Sequence, residues 1–510
     1  MKNAKVQLIF YVINIFLMFV SRSIFIKILG ANIAGLNSLL ISLIGFLNVA
    51  ELGVSVAVGY SLYKPLNDRN YNKISEIMIL FKYYYNNIAK IVLIIGIIIC
   101  LFLPFLIKGQ INLGSAYIYY YIYLVNCVLS YMFTYKQTLI ISDQKQYKIA
   151  FTINLTKILK VCIQCFQLII IPSFFIWLII EVIFNVLSMI LVNKKIDKEY
   201  SEKVNYNLNK DLLKIKKENK SIKKNIRNIF FHKIGGFVVF QTDSILISMF
   251  SSLKEIAVYS NYMMIINSLI GLLNSVVGSI MPTIGNLIAE DNDNKSYKIF
   301  RLLYMLDHLI AIFVTFITFK VINQFIIFWV GKEYLFAKSI VLVLLINLYI
   351  RISRGTIDRF KNGFGIYWDI YSPVIESVVN LILSLILTYK FGIIGIFIGT
   401  IISNILIIEI WQPYVVFKYG FKKSIKNYIF QTSNILFRNL LVIIITNFIL
   451  NKISINITNY FISLIFNILF ISIIFCVVYF FIFITDKDFK NLLKEGINFL
   501  KIKKQKNIKI

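Results

Sequence analysis

Residues 6–29 read VQLIFYVINIFLMFVSRSIFIKIL, a largely apolar run in which Arg22 and Lys27 are the only charges. A helix needs about 20 such residues to cross the hydrocarbon core of a bilayer, so this run is long enough to span. Lys2 and Lys5 stand ahead of it and no small-residue cleavage site closes it, so it reads as a retained helix and not a cleaved signal peptide. Working outward, comparable apolar segments follow at 36–62, 79–107, 114–141, 147–171 and 172–193. After a basic connector come 226–251, 257–289, 300–330, 335–356, 366–389 and 391–417, then a final pair at 433–452 and 460–484. The predicted fold class is an all-α polytopic membrane protein with about 14 transmembrane helices.

Composition agrees with that reading. Hydrophobic residues make up 58% of the 510 positions and mean hydropathy is +0.77, more apolar surface than a soluble fold of this size hides. The formal charge of +30 (54 Lys and Arg against 24 Asp and Glu) invites a nucleic-acid reading, but its placement argues for a membrane. Basic residues collect in alternate loops, most densely at 194–227, 418–426 and 487–509, which is the positive-inside pattern. Both termini are therefore expected in the cytoplasm, with the basic face against membrane lipids of an anionic leaflet and no nucleic acid as partner. Heavy use of Ile, Asn, Lys and Tyr suits an AT-rich bacterial genome, hence a bacterial plasma (inner) membrane. The five cysteines all fall in apolar segments; Cys162-x-x-Cys165 has no second Cys or His pair, so no metal site is expected and buried structural thiols are.

The connector 194–225 is the one long polar stretch; Leu208, Leu212, Leu213 and Ile215 among its lysines and glutamates predict a short surface helix. Outside connections are short, the longest being 451–460, which leaves no extracytoplasmic domain to carry chemistry. The connector separates halves that resemble each other. In the first, 26–30 turns into a Gly/Ser-rich helix that ends in the polar loop 64–74. In the second, 247–251 turns into a Ser/Asn/Gly-rich helix that ends at 290–299. The expected organisation is two pseudo-symmetric six-helix bundles, 1–193 and 226–417, then a helix pair over 418–484 and a basic cytoplasmic tail at 485–510. Parallel repeats of this kind place a substrate path at the repeat interface.

At the level of local sequence, the run Leu29-Gly-Ala-Asn-Ile-Ala-Gly-Leu-Asn37 through Glu51-Leu-Gly53 to Tyr63-Lys-Pro-Leu66 carries a resemblance. Gln241-Thr-Asp243-Ser, Tyr259-Ser-Asn-Tyr262, Met281-Pro-Thr-Ile-Gly-Asn286, Phe364-Gly-Ile-Tyr-Trp-Asp369, Pro373-Val-Ile-Glu376-Ser-Val-Val-Asn380 and Trp411-Gln-Pro413 continue it. Together, over about residues 5–430, they are similar to the polysaccharide-type (oligosaccharide, O-antigen or capsule repeat-unit) flippases of the multidrug/oligosaccharidyl-lipid/polysaccharide exporter superfamily. The resemblance implies a twelve-helix double bundle with two added C-terminal helices. It implies translocation of a lipid-diphosphate-linked oligosaccharide to the outer leaflet, with glycosyltransferases and a polysaccharide polymerase acting on either side of that step. No cofactor is implied beyond coupling to a proton or sodium gradient.

Ionisable residues inside a membrane cost about 2.5–3.5 kcal/mol each on insertion scales, so they are the candidate site. Lys82, Asn86 and Lys90 are spaced i, i+4, i+8 and share one helix face. Lys157, Lys160, Gln164 and Gln167 form a second stripe, and Lys157 lies about 15 Å deep at 1.5 Å per residue. Arg22, His232, Lys233 and Gln241 complete the substrate set. Lys and Arg supply charge-assisted hydrogen bonds to phosphate oxygens, while Asn and Gln suit sugar hydroxyls. The competing structural reading is snorkelling of the long side chains to the interface. Five tyrosines over 117–123 read first as an interfacial belt and second as a sugar-stacking surface.

Of the intramembrane acids (Glu51, Glu181, Asp243, Asp307, Glu376 and Glu409), each can neutralise a neighbouring base or couple transport to an ion. Glu376, in a polar stripe with Asp369, Ser372 and Asn380, is the first coupling candidate; Asp307 with adjacent His308, and Asp243, are the others. Gly392, Gly395, Gly399 and Ser403 read as a close-packing edge. The alternative function is a multidrug or cation exporter of the same superfamily, though its site favours acids. A membrane glycosyltransferase or polysaccharide polymerase is the remote one, because no nucleophile, metal cluster or phosphate loop appears; the chain is expected not to be an enzyme.

Overall fold

Each long apolar run forms a helix, because in lipid every backbone N–H and C=O must be satisfied within its own segment. The computed structural model describes residues 2–51, 53–206, 212–277, 284, 287–288, 293–366, 368–369, 371–453 and 459–495, without the side chains of 2–8, 50, 221, 228, 231–241, 276–277 and 293. The chain is all-helical, with no strand among the described residues. We label α1 Lys2–Leu47, α2 Val54–Asn67, α3 Tyr71–Cys100, α4 Leu113–Thr134, α5 Tyr147–Ile170, α6 Phe174–Tyr200, α7 Lys220–Phe250 and α8 Leu253–Val277. Beyond them are α9 Asp293–Trp329, α10 Lys338–Ser353, α11 Gly355–Gly363, α12 Tyr371–Phe391, α13 Ile393–Asn404, α14 Ile425–Lys452 and α15 Tyr460–Phe483. Among the described residues, 12 helices are long and apolar enough to cross a membrane, and the chain is a multi-pass membrane protein. The expected seventh span, 226–251, falls on α7 except for its last residue, which caps the helix.

Polar residues at the loops set where helices begin. Asn70 accepts from Lys73 N (3.0 Å) at the start of α3, Asn112 from Ser115 N (3.2 Å) at α4, and Asn459 from Phe461 N (3.0 Å) at α15. The expected spans 6–29 and 36–62 are joined in α1 through Gly30, whose φ of 82° and ψ of 172° only glycine adopts readily. The second of them is not continuous. It breaks at a 3₁₀ turn, Asn48–Glu51, and resumes after Gly53. The break is polar and anchored: Tyr131 donates to Asn48 Oδ1 (2.5 Å) and Tyr85 donates to Glu51 Oε1. The connector holds a short helix, Leu212–Glu218, whose Lys216 ammonium lies 3.7 Å over the Tyr83 ring.

The helices gather into two compact units. One comprises Met1–Met263 with Ile370–Leu381, the other Met264–Asp369 with Ile382–Ile510. In the first, α1 packs on α5 and α7, α5 on α6, and α4 on α3 and α6. Gly35 permits the tightest approach: a Cβ there would lie 1.7 Å from the Leu253 carbonyl oxygen at the head of α8. In the second, α9 packs on α10 and α15, α10 on α13, and α14 on α15. Its core is aromatic, with Phe300 ring centroids 5.3 Å from Phe360, 5.5 Å from Phe417 and 5.1 Å from Phe421. The glycine edge of α13 does pack closely, since a Cβ at Gly395 would sit 2.3 Å from the Leu387 backbone and one at Gly399 would sit 2.6 Å from Ser384 N. After Asn404 the helix widens into two π-helical stretches, Ile405–Trp411 and Val416–Phe421, around the turn Gln412–Val415 that carries Pro413.

Two expectations are corrected. Cys100 and Cys127 are buried, but Cys162 and Cys476 are exposed on their helices, where a thiol is apolar enough to face lipid. The tyrosine run is not a belt alone. Tyr120 is buried and donates to the Gly96 carbonyl (2.7 Å), and Tyr123 donates to Asn37 Oδ1, because a phenol deep in a bundle must find an acceptor.

Candidate transport site

In the first unit the second basic stripe meets an acid on the neighbouring helix. Lys160 Nζ lies 2.5 Å from Glu181 Oε1, with the two side chains 14% and 23% exposed. Gln164, buried one turn along α5, donates from Nε2 to Glu181 Oε2 (3.0 Å) and to the Trp177 carbonyl (3.1 Å). Asn185 donates to Glu181 Oε1 (3.3 Å) and to Asn126 Oδ1 (3.3 Å), which extends the network to α4. Gln167 instead closes the end of α5, donating to the Ile171 carbonyl at 2.6 Å. Lys157, one turn before Lys160, is exposed and makes no salt bridge among the described residues. Three charges thus stand within about two helical turns, and one positive charge is left over.

Arg22 reaches from α1 to α8. Its Nε donates to Asn261 Oδ1 (2.8 Å), and one terminal nitrogen donates to Ser260 Oγ (2.6 Å) and the Ala257 carbonyl (3.4 Å). Asp243 on α7 is buried and accepts from the Tyr259 hydroxyl at Oδ2 (2.8 Å), while its Oδ1 has no hydrogen-bond partner among the described residues. On α3, Lys82 is half-buried whereas Asn86 and Lys90 are exposed, and neither lysine is in a salt bridge among the described residues. The side chains of His232, Lys233 and Gln241 lie outside the described residues. Glu376 and Asn380 are buried on α12, and the Ser372 hydroxyl near its start has no hydrogen-bond partner among the described residues. The fourth member of that stripe is corrected: Asp369 precedes α12 and is held by Lys361 Nζ at 2.6 Å.

The second unit has its own buried polar centre. Asp307 Oδ2 accepts from Thr356 Oγ1 (2.6 Å) and an Arg359 terminal nitrogen (2.5 Å), both on α11. His308 takes another direction, its Nδ1 2.7 Å from the Tyr349 hydroxyl and its ring 4.4 Å from that of Tyr304. Asn439 on α14 donates to the same hydroxyl at 3.3 Å. Adjacent in sequence, Asp307 and His308 therefore serve different partners. Tyr349 and Asn439 also floor a cavity of about 280 Å³ between α9, α10 and α14, walled by Phe316, Leu342, Leu345 and Leu440.

Several of these residues escaped the reading of the sequence. Asn185 had a signal, since it follows Glu181 by one turn. The three arginines of 351–359 also had one, as basic residues crowded beside an apolar helix. Ser260 and Asn261 stood in the motif Tyr259-Ser-Asn-Tyr262 without a role, and Tyr349 and Asn439 had no signal; their importance comes from partners far away in the chain.

No protein-family model matches the chain, and no curated protein matches it in sequence. Solved structures do match its fold. The lipid II flippase MurJ, in an inward closed conformation, superposes over 92% of this chain and 98% of its own, with 16% identity and a TM-score of 0.67. A multidrug resistance MATE family transporter in an inward-facing conformation covers 78% of this chain and 93% of its own, at 15% identity and a TM-score of 0.58. A MOP superfamily transporter from Pyrococcus furiosus, for which a reversed binding-pocket polarity suggests a different function, covers 81% and 94% at 14% identity and a TM-score of 0.51. The chain shares the fold of these structures, and these structural neighbours are transporters.

Proposed function

We propose that this chain is a flippase that moves a lipid-diphosphate-linked oligosaccharide across the bacterial plasma membrane by alternating access, for synthesis of a cell-surface polysaccharide. The observation that carries the reading is the surplus cation at the Lys157, Lys160, Glu181 centre. A lysine that deep, with no salt bridge among the described residues, costs insertion energy, and a diphosphate group is the ligand chemistry that offsets it. Gln164, Asn126 and Asn185 surround the ion pair with amide groups of the kind that bind sugar hydroxyls. Glycosyltransferases would supply the lipid-linked unit and a polymerase would consume it. Glu376, and behind it Asp307, are the candidates for coupling to a proton or sodium gradient. Both termini are assigned to the cytoplasm by the basic loops.

A second reading, export of an organic cation, draws on Asp243, whose Oδ1 is buried without a hydrogen-bond partner among the described residues. One experiment separates the two. Purified protein in proteoliposomes is assayed for translocation of a polyprenyl-diphosphate oligosaccharide, read by its cleavage with an added glycosidase, and in parallel for accumulation of a fluorescent organic cation. Lys157→Gln is expected to abolish glycan translocation while leaving protein yield unchanged. Dye transport lost in Asp243→Asn, with no glycan translocation by the wild type, would establish the exporter instead.

A further inference from the structure

Where the helix that begins as α13 ends, a cavity of about 440 Å³ is lined by Tyr414, Lys418, Lys422, Lys423, Ser424 and Ile425. Three ammonium groups border it, and none makes a salt bridge among the described residues. Among the described residues, the partners of Lys418 and Lys423 are neutral. Lys418 Nζ lies 2.6 Å from the Tyr414 hydroxyl and 5.4 Å from the Tyr419 ring centroid. Lys423 Nζ lies 4.2 Å over the Tyr297 ring and 3.5 Å from Asn294 Oδ1. Cations grouped around one cavity, with no acid paired to them among the described residues, call for an anion.

The backbone fixes where these lysines stand. Lys422 holds φ 52° and ψ 38°, a left-handed conformation that glycine or asparagine adopts at less cost. The turn is closed by Lys423 N donating to the Phe417 carbonyl (3.0 Å) and is seated on the aromatic core, with the Phe421 ring 5.5 Å from Tyr297. Lys108 ends a helix in the same left-handed conformation, and at Lys422 this ending fixes the direction in which the three lysine stems leave the turn. No acid occupies the first turn of α14, which opens beside the cavity, so that helix adds no competing negative charge.

The surroundings identify the kind of anion. The helix ending at Phe421 is one of the membrane-crossing set, and exposed Trp411 and Tyr419 beside the cavity mark the membrane–water boundary. The abundant anion at that depth is phosphate carried on lipid, and lysine clusters at helix ends are suited to it. We infer that this cavity is a binding site for a lipid phosphate group, distinct from the charged centre on α5 and α6.

Two of the four tryptophans report on it: Trp411 is 5.8 Å from the Tyr414 ring, and Trp368 is 5.0 Å from the Tyr419 ring. The full chain, carrying W177F and W329F, is placed in phosphatidylcholine vesicles. In one arm, quenching by dibrominated phosphatidylglycerol is compared with quenching by dibrominated phosphatidylcholine. In the other, pyrophosphate is titrated against the phosphatidylglycerol quenching. The anionic lipid is expected to be preferred, and K422Q to lower the preference about two- to fivefold, the scale of one lysine near an anionic surface. K418Q/K422Q/K423Q should abolish the preference, and the corresponding triple arginine variant should restore it. Displacement by pyrophosphate identifies the phosphate itself as the determinant, open to soluble phosphate too; preference that resists pyrophosphate assigns the site to lipid. A preference intact in the triple glutamine variant, or lost equally in K487Q/K490Q of the basic tail, would overturn the inference.

Discussion

Glu181→Gln is the perturbation that tests the charged centre most directly. The substitution keeps the shape of the side chain but removes the partner that Lys160 meets at 2.5 Å. Two unit charges about 4 Å apart interact by about 4 kcal/mol at an effective dielectric of 20. With the partners 14% and 23% exposed, solvent screening is limited. Removing the acid also leaves Lys160 beside Lys157 with no counter-charge, so the expected loss of stability is about 3 kcal/mol. Lys160→Gln should cost less, because Glu181 keeps the amide donors of Gln164 and Asn185. The double variant removes both charges and should recover most of the loss, giving a coupling energy of about 2 kcal/mol. Unfolding of wild type, both single variants and the double variant in one detergent measures it. If the single losses simply add to within about 0.5 kcal/mol, the ion pair does not organise this centre and the reasoning fails.

Other outcomes follow from single contacts. Gly35→Ala sets a methyl group 1.7 Å from the Leu253 carbonyl. The head of α8 must then retreat by about 1.5 Å, with a cost of about 2 kcal/mol, and a melting point unchanged from wild type would contradict the close approach. The same shift should loosen Arg22 from Ser260 and Asn261, lowering transport more than expression. Hydrogen bonds to Asp143 and then to Glu199 raise the Lys145 ammonium above its ordinary value of 10.5. Its stabilisation is therefore complete below about pH 10.5 and lost as pH rises through the higher folded value; thermal melts of Lys145→Gln should lack that alkaline decline. Glu376→Gln is expected to bind the lipid-linked glycan and to lose transport driven by an imposed proton or sodium gradient. Normal gradient-driven transport by this variant would move the coupling role to Asp307.

The sequence made the spans legible because a bilayer imposes a length, and a run such as 460–484 satisfies it without help from tertiary structure. It did not reveal that 36–62 breaks at Asn48–Glu51, since the partners fixing that break, Tyr85 and Tyr131, lie on other helices. The stripe on α5 was legible from spacing alone, but not the division of labour within it. Lys160 and Gln164 are committed to Glu181, while Gln167 caps its own helix and Lys157 is left over. Which residue of a stripe is spent on structure depends on a neighbour that local sequence does not specify. Asp307 and His308 make the same point: adjacency in sequence placed them together, and helix geometry sent them to α11 and α10.

The wide turns at Ile405–Trp411 and Val416–Phe421 bear on how this chain tolerates changes in length. A π turn holds an extra residue relative to an α turn, so it behaves as an insertion that the helix has absorbed without losing its direction. Deleting one residue between 405 and 411 would let the turn tighten to α geometry and leave both flanks in register. The same deletion between 393 and 404 would swing every later side chain by about 100°, a rotation set by 3.6 residues per turn, and carry buried Thr400 and Ser403 off their packed face. Related chains of unequal length should therefore place their single-residue gaps in the wide turns and keep 393–404 constant in length.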